Sequence, residues 1–152
     1  MKAIYTLADL KDWRKASGDA KPPIRLGVIG QPVAHSLSPE MQNAALAESK
    51  LKMRYARFEV APDELQPALQ LLPGLDFVGV NLTVPHKVAA LAFVDDIDDT
   101  AREIGAINTI KLEDGKLGGF NTDGKGFAGR DGGAGRCAVW RADTAGRTEL
   151  PH

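Results

Sequence analysis

Apolar residues recur along most of the chain in segments whose spacing alternates between that of strands and that of helices. A mostly apolar run closed by Gly30 predicts a buried strand over 24–29, alternating apolar and polar residues predict a strand over 53–60, and the valine-rich segment before Pro85 predicts a strand over 77–84. Helical spacing of apolar positions predicts helices over 39–50, 63–72, 86–93 and 98–104. This alternation predicts an α/β fold with a mainly parallel sheet covered by helices on both faces.

The segment before the first strand predicts a short helix. Thr6 and Asp9 have the spacing of a capping box, and Gly18 stops the apolar pattern. A Pro-rich linker then leads into the first strand. We therefore expect residues 1–23 to form an N-terminal helix and linker, followed by a domain over 24–127.

A hairpin is predicted after the last helix, because segments 106–112 and 116–121 flank the turn signal Asp114-Gly115. With those two residues in the turn, the register places Asn108 and Asp123 diagonally on one face. The complete prediction is a mixed, mostly parallel sheet with helices on both faces and a C-terminal β-hairpin, forming a three-layer sandwich.

Composition excludes several classes of partner. The chain has 152 residues, 19 basic and 20 acidic, which argues against a nucleic-acid surface. No apolar run has the length of a membrane span, and the charged start is unlike a secretory signal. The single Cys137 cannot form an internal disulfide or a Cys-based zinc site. We expect a cytoplasmic protein without a metal.

The segment 128–152 is rich in Gly and Arg and has too few apolar residues for a core, so it predicts an irregular tail. Within it, 132–135 is similar to a phosphate-binding glycine loop, but no strand precedes it.

Two hydroxyls, Ser36 and Ser38, lie just before a predicted helix. In an extended backbone they share one side, and the helix start adds unpaired N–H groups that attract anions. The pair could therefore hold a carboxylate. Alternatively, Ser38 only caps the helix and Ser36 is a solvated loop residue.

Polar residues also interrupt the third strand. Asn81 and Thr83 share the face opposite the valines, where a strand covered on both sides should be apolar, so they require partners or a ligand. Lys87 follows in the first turn of a helix, where it could act in proton transfer. The alternative is a solvated Lys and a sheet-edge amide.

The hairpin carries two further candidates. Asp123 follows its second strand and could orient Lys87 or bind a hydroxyl, whereas the alternative is an Asx turn. Asn108 interrupts an apolar stripe and needs a partner. The acidic run 95–99 predicts a helix start rather than a metal site, and neither His35 nor His86 is assigned a catalytic role.

Four motifs, read together and in order, resemble the substrate-binding half of shikimate dehydrogenase. They are GVIGQPVAHSLSPEMQNAAL, GVNLTVPHK, EIGAINTI and GGFNTDGKGF, and they cover roughly 25–127. The resemblance implies that Ser36 and Ser38 hold the substrate carboxylate. It implies that the ring hydroxyls contact Asn81, Thr83, Asn108 and Asp123, and that the catalytic pair is Lys87 and Asp123.

The activity implied by this resemblance is the reversible, NADPH-dependent reduction of 3-dehydroshikimate to shikimate, a step of chorismate and aromatic amino acid biosynthesis. Lys87 would protonate the carbonyl oxygen as hydride from the cofactor reaches the carbon, with Asp123 orienting the ammonium.

Members of this family continue past the last motif into a nucleotide-binding half, whereas about 25 residues remain here. Residues for NADP therefore cannot be assigned, and we expect the isolated chain to catalyse little or no hydride transfer. The alternatives are a non-catalytic shikimate- or quinate-binding module and one chain of a split enzyme. The chain could pair with a separate cofactor-domain chain or form a homodimer.

Overall fold

The computed structural model describes residues 2–18 and 20–122, and the backbone of 141–142 and 148–149. The helices are α1 (Leu7–Lys11), α2 (Trp13–Ser17), α3 (Ser38–Glu48), α4 (Leu65–Leu71), α5 (His86–Ala89) and α6 (Asp99–Ile104). The strands are β1 (Ile24–Gly30), β2 (Arg54–Glu59), β3 (Gly79–Leu82), β4 (Asp96–Ile97), β5 (Thr109–Glu113), β6 (Lys116–Phe120), β7 (Arg141–Ala142) and β8 (Thr148–Glu149). Short 3₁₀ turns cover Pro62–Glu64, Leu72–Leu75 and Ala90–Ala92. Asp123, Cys137 and the glycine run 132–135 lie outside the described residues.

The main sheet has six strands in the order β2-β1-β3-β5-β6-β4. Five of them run in one direction, and only β5 runs against its two neighbours. This confirms the predicted mixed, mostly parallel α/β sheet. The β5–β6 hairpin is not at the sheet edge, because β4 pairs with β6 outside it. A separate pair is formed by β7 and β8.

The predicted hairpin register is confirmed from Glu113 opposite Lys116 to Thr109 opposite Phe120. The turn residues Asp114 and Gly115 both have positive φ, at 53° and 75°. Positive φ at both central residues defines the type I′ turn, whose twist matches that of the flanking strands. The turn chemistry therefore sets which residues of β5 and β6 face each other.

The two faces of the sheet bury different kinds of side chain. On one face, four aromatic rings pack with centroids 5.1 to 5.7 Å apart; they are Tyr5, Trp13, Phe58 and Phe77. On the other face a smaller cluster, including Leu26, Val28 and Tyr55, packs against Leu46 of α3. These two clusters hold helices against opposite sides of the sheet.

The edge strand β2 is covered by groups from elsewhere in the chain. The side chain of Asn43 in α3 bonds both the N–H and the carbonyl of Tyr55. The backbone of Tyr5 bonds the Arg57 carbonyl and the Glu59 N–H. Outward-facing backbone groups of an edge strand otherwise invite pairing with another chain, so these contacts protect the edge. They also fix α3 beside β2.

Some boundaries differ from the sequence prediction. The opening helix has the predicted capping box at Thr6, but it divides into α1 and α2 at Asp12. The acidic run 95–99 does more than start a helix: Asp98 caps α6, and Asp96–Ile97 forms strand β4. The Asp95 carboxylate accepts a hydrogen bond from the Leu117 N–H, which brings this segment alongside β6.

The face of α3 that packs on the sheet also differs from the expected apolar stripe. The buried residues of this helix are Ser38, Pro39, Gln42 and Leu46, whereas Met41 is 57% exposed. Because alanines occur all around this helix, its apolar residues do not mark one side. Among the helices of the described residues, none combines the length and apolar character needed to cross a membrane.

Candidate active site

Most of the predicted site residues lie at one edge of the sheet. This edge is formed by the C-terminal ends of β1, β3 and β6 and by the N-terminal end of β5, because β5 is antiparallel. Backbone hydrogen bonds join the segments there: Gln31 N–H to Val84, Thr83 N–H to Ile29, Leu82 N–H to Asn108, and Ile107 N–H to Lys87, all to carbonyls. The motifs of β1, β3 and the hairpin are thus held side by side.

Ser36 and Ser38 are adjacent, but not through an extended backbone. A turn bonds the Ser36 N–H to the Val33 carbonyl, and the Ser36 hydroxyl accepts the Ser38 N–H at 3.3 Å. Leu37, not Ser38, is the N-cap of α3, and Ser38 is its first helical residue. The predicted cap is therefore wrong by one residue, because the first helical hydrogen bond runs from the Met41 N–H to the carbonyl of Leu37. Ser36 is half-buried and Ser38 is buried.

Arg57 holds this segment from the sheet. Its Nε and Nη2 donate to the Ser36 carbonyl at 3.1 and 2.5 Å. Nη2 also donates to both carboxylate oxygens of Glu40, at 2.7 and 3.0 Å. The hydrogen bond from Arg57 keeps the pKa of Glu40 below its usual value. Sequence reasoning missed Arg57, although a basic residue two positions from buried Tyr55 breaks the apolar face of β2.

A hydrogen-bonded chain of polar side chains crosses the sheet on the α3 side. The Tyr55 hydroxyl lies 2.7 Å from Asn81 Oδ1, and Asn81 Nδ2 donates to Thr109 Oγ1 at 3.1 Å. The Thr109 hydroxyl donates to Asn108 Oδ1 at 2.9 Å, and Asn108 Nδ2 donates to Thr122 Oγ1 at 3.0 Å. These five residues, Tyr55, Asn81, Thr109, Asn108 and Thr122, are called the polar chain below.

The polar chain fixes the orientation of both candidate amides. A threonine hydroxyl has one hydrogen, which Thr109 gives to Asn108, so its oxygen accepts from Asn81. Asn81 must then present Nδ2 to Thr109 and Oδ1 to Tyr55. The predicted polar interruption of β3 is confirmed for Asn81, whose partners are Tyr55 and Thr109, whereas Thr83 lies after the end of the strand at Leu82. Neither partner was singled out from the sequence, because both read as ordinary strand formers.

Thr83 lies against the end of β1. A Cβ added at Gly30 would overlap the Thr83 methyl group, so a glycine is required there for β1 and β3 to end side by side. Lys87 follows as the second residue of α5 and is half-buried. Its carbonyl accepts the Ile107 N–H at 2.7 Å, which ties α5 to the residue before Asn108.

His86 precedes Lys87 and is fully buried. Its Nε2 donates to the Val60 carbonyl at 2.7 Å, and its buried Nδ1 has no hydrogen-bond partner among the described residues. Burial lowers the pKa of the imidazole, an effect only partly offset by the bond to Val60. A neutral, Nε2-protonated ring thus anchors the start of α5 to the residue that follows β2.

Asp123, the second member of the predicted catalytic pair, lies outside the described residues. No group of three or more metal-ligating side chains occurs in the part of the chain that the structure describes. A cavity of about 680 Å³ lies at the opposite edge of the sheet, lined by Trp13, Arg14, Ile24 and Arg25, among others. Of the predicted site residues that the structure describes, none lines this cavity.

The comparisons with known proteins agree with this arrangement. The family model described as "Shikimate dehydrogenase substrate binding domain" matches residues 28–110, more than half of the chain. Shikimate dehydrogenase (NADP(+)) of Symbiobacterium thermophilum is 49% identical over 102 residues, covering 67% of this chain and 35% of the relative. The chain thus spans about a third of the length of the curated relatives it matches.

Two solved structures share the fold. Shikimate 5-dehydrogenase from Thermus thermophilus, in complex with NADP(H) and shikimate, is 43% identical with a TM-score of 0.67, covering 70% of this chain and 40% of that one. The ligand-free 5-ketofructose reductase of a Gluconobacter strain is 38% identical with a TM-score of 0.67, covering 72% of this chain and 39% of that one. The fold, the site motifs and the family match together show that the chain belongs to the shikimate dehydrogenase substrate-binding domain family.

Proposed function

We propose that this chain is the substrate-binding part of an NADP-dependent shikimate dehydrogenase, which interconverts 3-dehydroshikimate and shikimate. The observation that carries the proposal is the set of groups at one sheet edge: a hydroxyl pair, two oriented amides, a threonine and a lysine. A ring with a carboxylate and several hydroxyls requires this combination of donors and acceptors. The names of the relatives support the same substrate.

In this proposal Ser36 and Ser38 receive the carboxylate, and the oriented amides of Asn81 and Asn108, with Thr83, receive the ring hydroxyls. Lys87 donates a proton to the ketone oxygen in the reduction direction and removes it in the oxidation direction. Asp123 hydrogen-bonds the same hydroxyl and orients the ammonium of Lys87. The polar chain holds the amides in place before the ligand arrives, which lowers the entropic cost of binding.

NADP supplies the hydride when it is bound, but residues 2–122 do not fit a nucleotide site. They contain no G-x-G-x-x-G run, and the turn after β1 carries Pro32 where a dinucleotide fold has its glycines. We therefore propose that other residues hold the cofactor, from the same polypeptide or a separate chain, and we assign no residue to it. A homodimer and a cytoplasmic location are further parts of this proposal, which size measurement and cell fractionation test.

Calorimetric titration of the pure chain with shikimate tests substrate binding. We expect binding by the parent protein, loss of affinity for the Ser36→Ala/Ser38→Ala variant, and unchanged affinity for Lys116→Ala. Lys116 is the matched control, because it is an exposed lysine at the start of β6, at the opposite end of the strand from the site. Absence of shikimate binding by the folded parent protein would refute the proposal, and equal affinity for quinate would refute a shikimate-specific site.

Turnover is tested in a fusion of this chain to the nucleotide-binding half of the Symbiobacterium relative. We expect NADPH oxidation with 3-dehydroshikimate, loss of that activity on Lys87→Ala, and retention on Lys116→Ala. An active Lys87→Ala fusion would remove Lys87 from the chemistry. A parent chain that binds shikimate but gives no active fusion would favour the binding-module alternative.

The likeness to 5-ketofructose reductase supports a second candidate, reduction of a neutral polyol ketone by the same fold. The two candidates differ in the carboxylate, which a neutral sugar lacks. The fusion should be assayed with both ketones, and a preference for 5-ketofructose would replace our first proposal with the second.

A further inference from the structure

Arg57 occupies a position that connects the sheet to the serine segment. It lies on the α3 face of β2, two residues after Tyr55, and its side chain is 16% exposed. The guanidinium reaches the Ser36 carbonyl with two N–H groups and the Glu40 carboxylate with one nitrogen. Arg57 is therefore hydrogen-bonded to one residue just before α3 and to one residue in its first turn.

The contact to Ser36 constrains the hydroxyl as well as the backbone. The Ser36 carbonyl is held by Arg57, and the Ser36 hydroxyl accepts the Ser38 N–H. Two bonds to one carbonyl restrict the rotation of that peptide, and hence the direction in which the Ser36 side chain points. A change at Arg57 would release both ends of this short segment.

The charge of Arg57 is only partly cancelled by Glu40. The Glu40 side chain is 60% exposed, so water screens its charge, whereas Arg57 is largely covered. Nη1 makes no hydrogen bond within the described residues, so the guanidinium is not surrounded by acceptors. An anion at the Ser36 hydroxyl would lie within about one Debye length, roughly 8–10 Å, of this cation.

We propose that Arg57 is a positioning and specificity-determining residue that makes the serine segment selective for ligands bearing a carboxylate. It orients Ser36 through the carbonyl and adds a favourable potential for the anion, without touching the ligand. The inference rests on the proposed function, because it names what separates an acidic ring from a neutral polyol at that site.

The test compares shikimate with its methyl ester, which keeps the ring hydroxyls and removes the charge. For Arg57→Gln we expect shikimate affinity to fall about tenfold, the effect of a charge at a partly buried site, and ester affinity to fall only about twofold, because the ester loses the positioning of Ser36 but has no charge to lose contact with. Arg57→Lys should recover part of the shikimate affinity, since it restores the charge without the two-pronged contact. Glu40→Gln should strengthen shikimate binding and leave the ester unaffected.

The outcomes separate the two proposals. Equal losses for acid and ester in Arg57→Gln would show a purely structural role and overturn the inference, as would unchanged affinity for both. A folded parent chain that binds neither ligand would instead refute the proposed function. If Arg57→Gln does not fold, the inference is tested by two other measurements: the shikimate affinity of Glu40→Gln and the salt dependence of shikimate affinity in the parent chain. Unaltered binding in Glu40→Gln together with no salt dependence contradicts the inference.

Discussion

The two faces of the central sheet are stabilised by different interactions. One face packs four aromatic rings and many aliphatic side chains into a continuous apolar core. The other face carries a smaller apolar cluster and, next to it, the polar chain from Tyr55 to Thr122. Both faces are buried, but only the second one contains groups that must satisfy one another with hydrogen bonds.

This difference shows how the fold separates stability from recognition. Burial of apolar area is favourable whatever the orientation of the rings, so the aromatic face tolerates small movements. A buried amide is costly unless its donors and acceptors meet partners, so the polar face accepts only one arrangement. Substitutions on the first face should therefore change stability more than affinity, and substitutions on the second should change both.

The largest effect is expected on the aromatic face. Phe58→Ala removes a ring that contacts three other rings and should reduce the free energy of unfolding by about 3–5 kcal/mol. Denaturant titration measures this loss, and Phe58→Leu, which keeps most of the volume, is the milder control. Shikimate affinity of the folded fraction should be unchanged; a large loss of affinity would mean that the two faces are not separate in function.

Thr109→Val should have the next largest effect, because it removes one hydroxyl from the middle of the polar chain while keeping the shape. Asn81 loses an acceptor and Asn108 loses a donor, so unfolding should become easier by about 1–3 kcal/mol. Shikimate affinity should fall as well, measured by calorimetry. Thr109→Ser keeps the hydroxyl and should behave like the parent, so equal affinities in the Val and Ser variants would separate the polar chain from recognition.

Tyr55→Phe removes only the hydroxyl at the end of the polar chain and should cost about 1 kcal/mol of stability. The Asn81 amide keeps its hydrogen bond to Thr109 but loses the one to Tyr55, so its orientation is less restricted. We expect a smaller loss of shikimate affinity than in Thr109→Val. A larger loss would mean that Tyr55, and not Thr109, is the partner that orients the Asn81 amide.

The sequence predicts most of the strands and helices that form the apolar core. Apolar and alternating runs located β1, β2 and β3, and Asp114-Gly115 fixed the hairpin register, because these signals are local and depend on neighbouring residues. Strand β4 was missed, since two residues beside an acidic helix cap carry no pattern and pair only through β6. Helix α3 was placed, but its buried face was not.

The sequence predicts only some of the candidate site residues, because the others are identified by contacts between distant parts of the chain. Asn81 and Asn108 stand out as polar residues in apolar stripes, and the structure supplies their partners. Thr109 and Arg57 act through residues 28 and 21 positions away in sequence, and such pairings follow from the sheet order and not from spacing. The pairing of Lys87 with Asp123 stays a prediction, as Asp123 lies outside the described residues.

The smallest effect is expected from His86, which links the start of α5 to Val60, the residue after β2. Because burial lowers the pKa of the folded imidazole below its usual 6.5, the unfolded chain binds the proton more readily. Stability from this group is therefore complete above about pH 6.5 and declines as the pH falls below it, by less than about 1.4 kcal/mol per pH unit. His86→Gln can still donate to the Val60 carbonyl but does not titrate, so its denaturation midpoint should vary less with pH over that range. Parallel pH profiles for the parent and His86→Gln would show that the ring is not the titrating group.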